Sequence, residues 1–296
     1  VSFFLFPGQG SQVPGMGRDF YDASPEAKAI LDQAELLSGG FLDTMFNGEA
    51  AAIGDTRVAQ IALLTVGTAI TEHLKARGIA PNGAAGHSLG EFTALVSAGS
   101  LSFEDAFRLV QVRARLMSED VPPGSMAAVI GLAPDAIEEA LPEGAQVANY
   151  NGPGQTIISG SVDAVEAAGP ALKEAGAKRV LPLKVSGPFH SQLMAKGAEQ
   201  FRAELRSITL NAPSIRFVSS VSGQEESDPE TILALLSEQI CAPVRWTDVM
   251  ASVGQVSAIE AGPGKVLQGI AKRMDNAPEI ALAGTLEAAQ ALEETS

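Results

Sequence analysis

The chain has 296 residues, 46% of them apolar and 5% aromatic, enough to bury a sizeable core in one large domain or two. A formal net charge of −15 excludes a nucleic-acid partner, because phosphate recognition needs a basic face. No apolar run reaches the roughly 18 residues that cross a bilayer, and the single cysteine, Cys241, excludes an internal disulfide and a cysteine-based metal site.

Ser2-Phe3-Phe4-Leu5-Phe6 reads as a buried strand running into a glycine-rich loop, Pro7-Gly8-Gln9-Gly10-Ser11-Gln12. The apolar start is too short for a signal peptide and lacks a basic flank; with one cysteine, this makes a cytoplasmic setting the expectation. Ser24-Pro25-Glu26 opens a helix with a capping serine and a proline at its first position, and Gly39-Gly40 lies beyond its end. Val58 to Arg77 is a second long helical pattern. Pro81 to Ala85 is a short strand leading into Gly86-His87-Ser88-Leu89-Gly90. Ser102-Phe103-Glu104-Asp105 resembles a capping box and opens a helix to about Ser118.

Pro122-Pro123-Gly124 breaks this texture. From Met126 to Val185 the expected order is strand, helix, strand, strand, helix, strand, which is the ferredoxin-like pattern. Pro170 falls inside the second of these helices and should kink it. The α/β texture returns after Ser186-Gly187-Pro188, with a helix from about Ser191 to Ser207 and a strand around Phe217. A helix follows Asp228-Pro229, then come a strand at Ala258–Glu260 and a helix to about Met274. The reading is therefore an α/β protein: a discontinuous large domain, 1–123 and 188–296, interrupted by a small ferredoxin-like domain, 124–187.

Gly86-His87-Ser88-Leu89-Gly90 has the G-x-S-x-G spacing of a nucleophile elbow, in which a tight strand-to-helix turn pushes a serine hydroxyl outward. Such a serine needs a base, and the chain offers three histidines. His73 lies mid-helix beside Glu72 and Lys75 and is expected to face solvent. His87 is inside the elbow, where its side chain lines the site. His190 stands at the return from the small domain, where clefts form, and is the preferred base. No aspartate is placed at a strand end to orient it, so a Ser-His dyad oriented by a backbone carbonyl is more economical than a triad.

On the helix from Phe103, Arg113 falls among Ala106, Leu109, Val110, Leu116 and Met117, all apolar. A guanidinium there needs an anion. A structural salt bridge, snorkelling to water, and bidentate capture of a substrate carboxylate all satisfy that need. The Gly8-Gln9-Gly10 loop lacks the third glycine of a dinucleotide fingerprint, since Val13 stands there; it is a tight turn or a source of an amide near the serine's oxyanion. Gly262-Pro263-Gly264 is a turn or a phosphate-holding helix start.

Phe6-Pro7-Gly8-Gln9-Gly10-Ser11-Gln12, Gly86-His87-Ser88-Leu89-Gly90-Glu91, Arg113, Pro188-Phe189-His190-Ser191, Pro243-Val244-Arg245-Trp246 and Glu260-Ala261-Gly262-Pro263-Gly264 together resemble the malonyl-CoA:acyl carrier protein transacylases. The resemblance implies a hydrolase-like α/β core with a ferredoxin-like insert. It implies Ser88 as nucleophile, His190 as base, the backbone carbonyl of Arg245 as the orienter of that base, and the N–H groups of Gln9 and Leu89 as the oxyanion hole. Arg113 would hold the malonyl carboxylate, and Phe189 is similar to the residue found in malonyl-selecting relatives. Malonyl-CoA and an acyl carrier protein are the implied partners, with no metal, no bound cofactor, no nucleic acid and no membrane; a monomer suffices. Fatty-acid synthesis is the expected setting, and discrete polyketide acyltransferases and the malonyl-transferring subunit of malonate decarboxylases share the pattern. A serine esterase or thioesterase is the more distant alternative. Because such carrier proteins are acidic, Lys178, Arg179, Lys184 and Lys196 are candidates for the docking face.

Overall fold

A computed structural model describes residues 2–119 and 121–292. Its strands are β1 (Ser2–Phe6), β2 (Pro81–Gly86), β3 (Ser125–Ile130), β4 (Ala145–Gly152), β5 (Gln155–Gly160), β6 (Arg179–Pro182), β7 (Arg216–Val218), β8 (Ser257–Glu260) and β9 (Glu279–Leu282). Five of them form one parallel sheet in the order β7-β2-β1-β8-β9. The other four form a separate antiparallel sheet, β4-β5-β3-β6, built only from residues 125–182.

The central strand shows why the parallel sheet is internal. All five residues of β1 are buried. Phe4 and Phe6 join a large apolar cluster on one face, while Phe3 and Leu5 join a second cluster on the other with Val249, Met250 and Leu267. Alternation of two fully apolar faces is what a parallel strand covered by helices on both sides requires. The largest helix, Thr56–Ala76, packs against the helices Pro25–Ser38, Gly90–Ser97 and Phe103–Leu116. Being enclosed on several sides, it buries His73, which the polar neighbours Glu72 and Lys75 had suggested would be exposed; the ring packs edge-on against Phe20 and its Nδ1 lies 3.0 Å from Ser24 Oγ.

Caps fall where the sequence signals them. Ser24 accepts from Ala27 N, Asp228 from Thr231 N, and Ser102 Oγ both accepts from Asp105 N and donates to its carboxylate. In the antiparallel unit, helices Pro134–Ala140 and Val162–Glu174 separate the strands in the ferredoxin-like order. The second helix runs unbroken through Pro170, which forfeits one helical hydrogen bond and does not end it. The segment expected as one helix from Ser191 begins instead as a 3₁₀ turn, Gln192–Met194, and becomes α-helical at Ala195–Leu205.

The antiparallel sheet is tied by main chain to a segment outside both sheets. Tyr150 N donates to Val244 O at 2.9 Å and Val244 N to Ala148 O at 2.8 Å, so β4 is pinned to the segment that follows helix Pro229–Glu238. Connections from β1 and β2 emerge side by side at the carboxyl ends of adjacent strands. In open α/β sheets that edge is where ligands bind.

Candidate active site

β2 ends at Gly86, and His87 N donates to Phe6 O at 2.9 Å, tying the turn to β1. The two glycines of the elbow are there for space. A Cβ on Gly86 would stand 1.9 Å from the carbonyl carbon of Gly90, and one on Gly90 would stand 2.1 Å from Phe6 O. Between them Ser88 takes φ 51°, a left-handed conformation that costs an L-residue about 1 kcal/mol or more. Helix Gly90–Ser97 starts immediately beyond it.

Ser88 Oγ lies 2.8 Å from His190 Nε2, across 102 positions of sequence. His190 also has a left-handed backbone, φ 56°, and its N–H donates to Ile240 O at 3.0 Å. On the other side of the ring, Nδ1 lies 3.0 Å from both Gln239 O and Ala242 O. Carbonyl oxygens only accept, so Nδ1 carries the proton and Nε2 is left free to take one from the serine. Desolvation, with the Arg113 charge next, pushes the imidazole down to about 3, so the ring is neutral across the physiological range.

These carbonyls correct one expectation. Arg245 O does not orient the histidine; it accepts from Val249 N at 3.0 Å as the N-cap of helix Trp246–Val253, while the Arg245 side chain points to Asp248. Gln239 and Ala242 follow the end of helix Pro229–Glu238, where the last carbonyls have no helical partner and are available to an imidazole.

Arg113 is 1% exposed. Its Nε donates to Gln239 Oε1 at 3.0 Å, Nη1 donates to Gln60 Oε1, and Nη2 donates to Ser88 Oγ at 3.0 Å. None of the ion pairs among the described residues includes it, so the structural salt bridge is absent from that set. Burial lowers the guanidinium to about 10 against the opposing pull of Glu91, and it stays cationic at neutral pH. The result is a dry, singly charged fork held by two amide oxygens and aimed at the serine.

A cleft of about 420 Å³ opens over this cluster, lined by Gln9, His87, Ser88, Leu89, Arg113, Phe189 and His190, and by Asn149, Asn151 and Lys184 on the side of the antiparallel sheet. Gln9 turns its side chain away to donate to Thr56 Oγ1 at 3.1 Å, and its N–H and that of Leu89 have no main-chain acceptor among the described residues. His87 Nε2 lies 2.8 Å from Asn151 Oδ1, and burial depresses its basicity. Lys184 is at the cleft; Lys196 lines a separate groove with Arg115 and Glu119, and Lys178 and Arg179 border neither.

Gln60 and Gln239, and a role for Glu91 beyond its place in the elbow motif, escape a reading of the sequence. Gln60 interrupts an apolar helical run, the same signal that drew attention to Arg113, whereas Glu91 stands in the first turn of its helix, where an acidic residue is ordinary. Gln239 sits beside Glu238 at a helix end and gives no signal at all.

A family model for the acyl transferase domain matches residues 3–294. The chain is 43% identical to the malonyl CoA-acyl carrier protein transacylase of Bacillus subtilis, covering 92% of this chain and 90% of that one. It is 42% identical to the protein of the same name from Escherichia coli K12, covering 92% of each. Among solved structures it is similar to an acyl carrier protein S-malonyltransferase of Vibrio cholerae (TM-score 0.93, 38% identity, 98% of this chain and 99% of that one). It is similar also to a malonyl-transacylase in complex with its type II polyketide acyl-carrier protein (TM-score 0.92, 37% identity, 98% of each chain). With the match running from the first strand to the last helix, the chain belongs to the acyl transferase family, among the malonyl CoA-acyl carrier protein transacylases.

Proposed function

We propose that the protein transfers a malonyl group from malonyl-CoA to the phosphopantetheine thiol of an acyl carrier protein, as an [acyl-carrier-protein] S-malonyltransferase of fatty-acid synthesis. The observation that carries this reading is the Ser88 hydroxyl, 2.8 Å from a neutral His190 and 3.0 Å from a cationic Arg113 that no carboxylate of the described chain pairs. A nucleophile and base alone would serve any ester or thioester. The unpaired guanidinium selects an acyl group that brings its own anion.

His190 Nε2 takes the serine proton as Oγ attacks the thioester carbonyl. The negative charge that develops on the carbonyl oxygen meets the N–H groups of Gln9 and Leu89, and each such donor lowers the barrier by roughly 3–4 kcal/mol. The tetrahedral intermediate collapses, His190 returns the proton to the leaving CoA sulfur, and a malonyl-serine ester remains. The carrier thiol then gives its proton to His190 and attacks the ester by the same path in reverse. Gln239 and Ala242 carbonyls keep the imidazole in the tautomer that both half-reactions need. Phe189 and His87 wall the acyl pocket.

The test is intact mass spectrometry of the protein mixed with malonyl-CoA. One malonyl adduct is expected on the native chain and none on Ser88→Ala. An unmodified native chain refutes the reading, and rapid loss of the adduct to water without carrier protein assigns the site to hydrolysis instead.

A further inference from the structure

Behind the reacting pair lies a buried carboxylate that the mechanism does not use. Glu91, one residue into helix Gly90–Ser97, is 1% exposed. Its Oε1 accepts from Ser219 Oγ at 2.6 Å and from Ser220 N at 3.0 Å; its Oε2 accepts from Ser220 Oγ at 2.7 Å and from Gln239 Nε2. Gln239 is equally buried and faces three ways. Its Nε2 donates to Glu91 and to Ser88 O at 3.1 Å, its Oε1 accepts from Arg113 Nε, and its main-chain carbonyl meets His190.

We infer that Glu91 is a positioning residue: through the side-chain amide of Gln239 it fixes the orientation in which Arg113 is presented to an acyl carboxylate at Ser88. The inference rests on the reading of Arg113 as the carboxylate-binding residue. An amide has nearly the same shape when its oxygen and nitrogen are exchanged, and only its partners decide which way it points. Here a carboxylate and a carbonyl call for the NH₂ group on one side, which leaves the oxygen for the guanidinium on the other. If the amide turned over, its NH₂ would face Arg113 Nε–H, donor against donor, and the arginine would have to move.

Charge placement follows the same logic. A carboxylate in direct contact with Arg113 would neutralise the fork and compete with the substrate. Gln239 is a neutral spacer that keeps Glu91 close enough to favour the buried cation while leaving its Nη groups unpaired by any carboxylate of the described residues. The carboxylate at 91 is also hard to replace. Ser220 N and Gln239 Nε2 are both donors, one on each oxygen. A glutamine at 91 can accept from only one of them; it either strands the Ser220 N–H or turns the Gln239 amide.

The experiment measures kcat and KM for malonyl-CoA and acetyl-CoA in the native protein, Glu91→Gln, Gln239→Met and Arg113→Ala, with thermal unfolding of each. A side-chain amide at 91 should lower the malonyl-to-acetyl selectivity by about tenfold or more, chiefly through a higher malonyl-CoA KM. The direction is diagnostic, because a guanidinium that merely lost its compensating charge and stayed in place would bind the carboxylate at least as well. Gln239→Met keeps the volume, removes the amide, and should lower the same ratio even if Glu91→Gln folds poorly. Unchanged selectivity, or proportional loss of both substrates, in a folded Glu91→Gln or in Gln239→Met overturns the inference. If Arg113→Ala itself keeps its preference for malonyl, the assignment of Arg113 fails, and that outcome is distinct from failure of the Glu91 relay.

Discussion

Burial of His190 makes the folded chain lose stability in acid. The imidazole is held at about 3 in the folded chain, against an ordinary value of 6.5 once unfolded. Because the folded value is the lower one, the unfolded state binds more protons between the two. Stability from this group is therefore complete above pH 6.5 and is lost as pH falls through the window toward 3, by up to about 1.4 kcal/mol per pH unit. Two units below the unfolded value the loss reaches roughly 3 kcal/mol, a large share of a typical 5–15 kcal/mol. The perturbation is His190→Gln, which removes the titration, and the assay is urea unfolding followed by circular dichroism from pH 8 to 4.5. His73 and His87 are also depressed and sit in both proteins, so the difference between the two pH curves isolates position 190. The native curve should run parallel to the variant's above pH 6.5 and fall away from it below. Parallel curves down to pH 4.5 would mean that His190 protonates freely in the folded state, and the claim of a desolvated neutral base would be wrong.

If Arg113 binds the acyl carboxylate as proposed, replacing it by alanine should lower malonyl kcat/KM about a hundredfold or more while acetyl transfer holds or rises. Equal loss of both substrates in steady-state assays would reject the carboxylate role. Gly86→Ala places a methyl 1.9 Å from the Gly90 backbone, which no rotamer can relieve, and should destabilise the fold by more than about 3 kcal/mol. A melting temperature within a few degrees of the native chain would show that the elbow is softer than its geometry implies. Lys184→Glu, at the cleft, should raise the apparent KM for an acidic carrier protein; unchanged kinetics would remove Lys184 from the docking face.

How much of this could be read from the sequence depends on where each feature keeps its information. Ser88 was legible because the elbow is a steric requirement written in glycines, and Arg113 because a cation among Ala106, Leu109 and Leu116 breaks helical periodicity. The meeting of His190 with Ser88, 102 positions apart, depends on the chain's return from the antiparallel sheet, which composition marks only loosely. What orients His190 was not legible. A main-chain carbonyl has no side-chain signature: the residues point only to some backbone carbonyl, the resemblance implies that of Arg245, and those within 3.0 Å of His190 Nδ1 are Gln239 and Ala242. His73 was misread for a related reason: local polarity at Glu72 and Lys75 describes the helix, whereas burial is decided by the helices packed around it. The short elements Arg18–Ala23, Phe41–Asn47 and Glu279–Leu282 lacked enough residues to establish a period.

Among the described residues, three that are not glycine hold a left-handed backbone, and two of them are Ser88 and His190. At both positions a glycine would relieve the main chain, at 190 only by leaving the Gln239 and Ala242 carbonyls without the imidazole they meet. The left-handed turn at 88 and 190 is thus spent on aiming two side chains at one point, 2.8 Å apart. A relative freed from catalysis could therefore keep the sheet and the elbow glycines and differ only at positions 88 and 190, so that the fold alone would not reveal the loss of the proposed reacting pair.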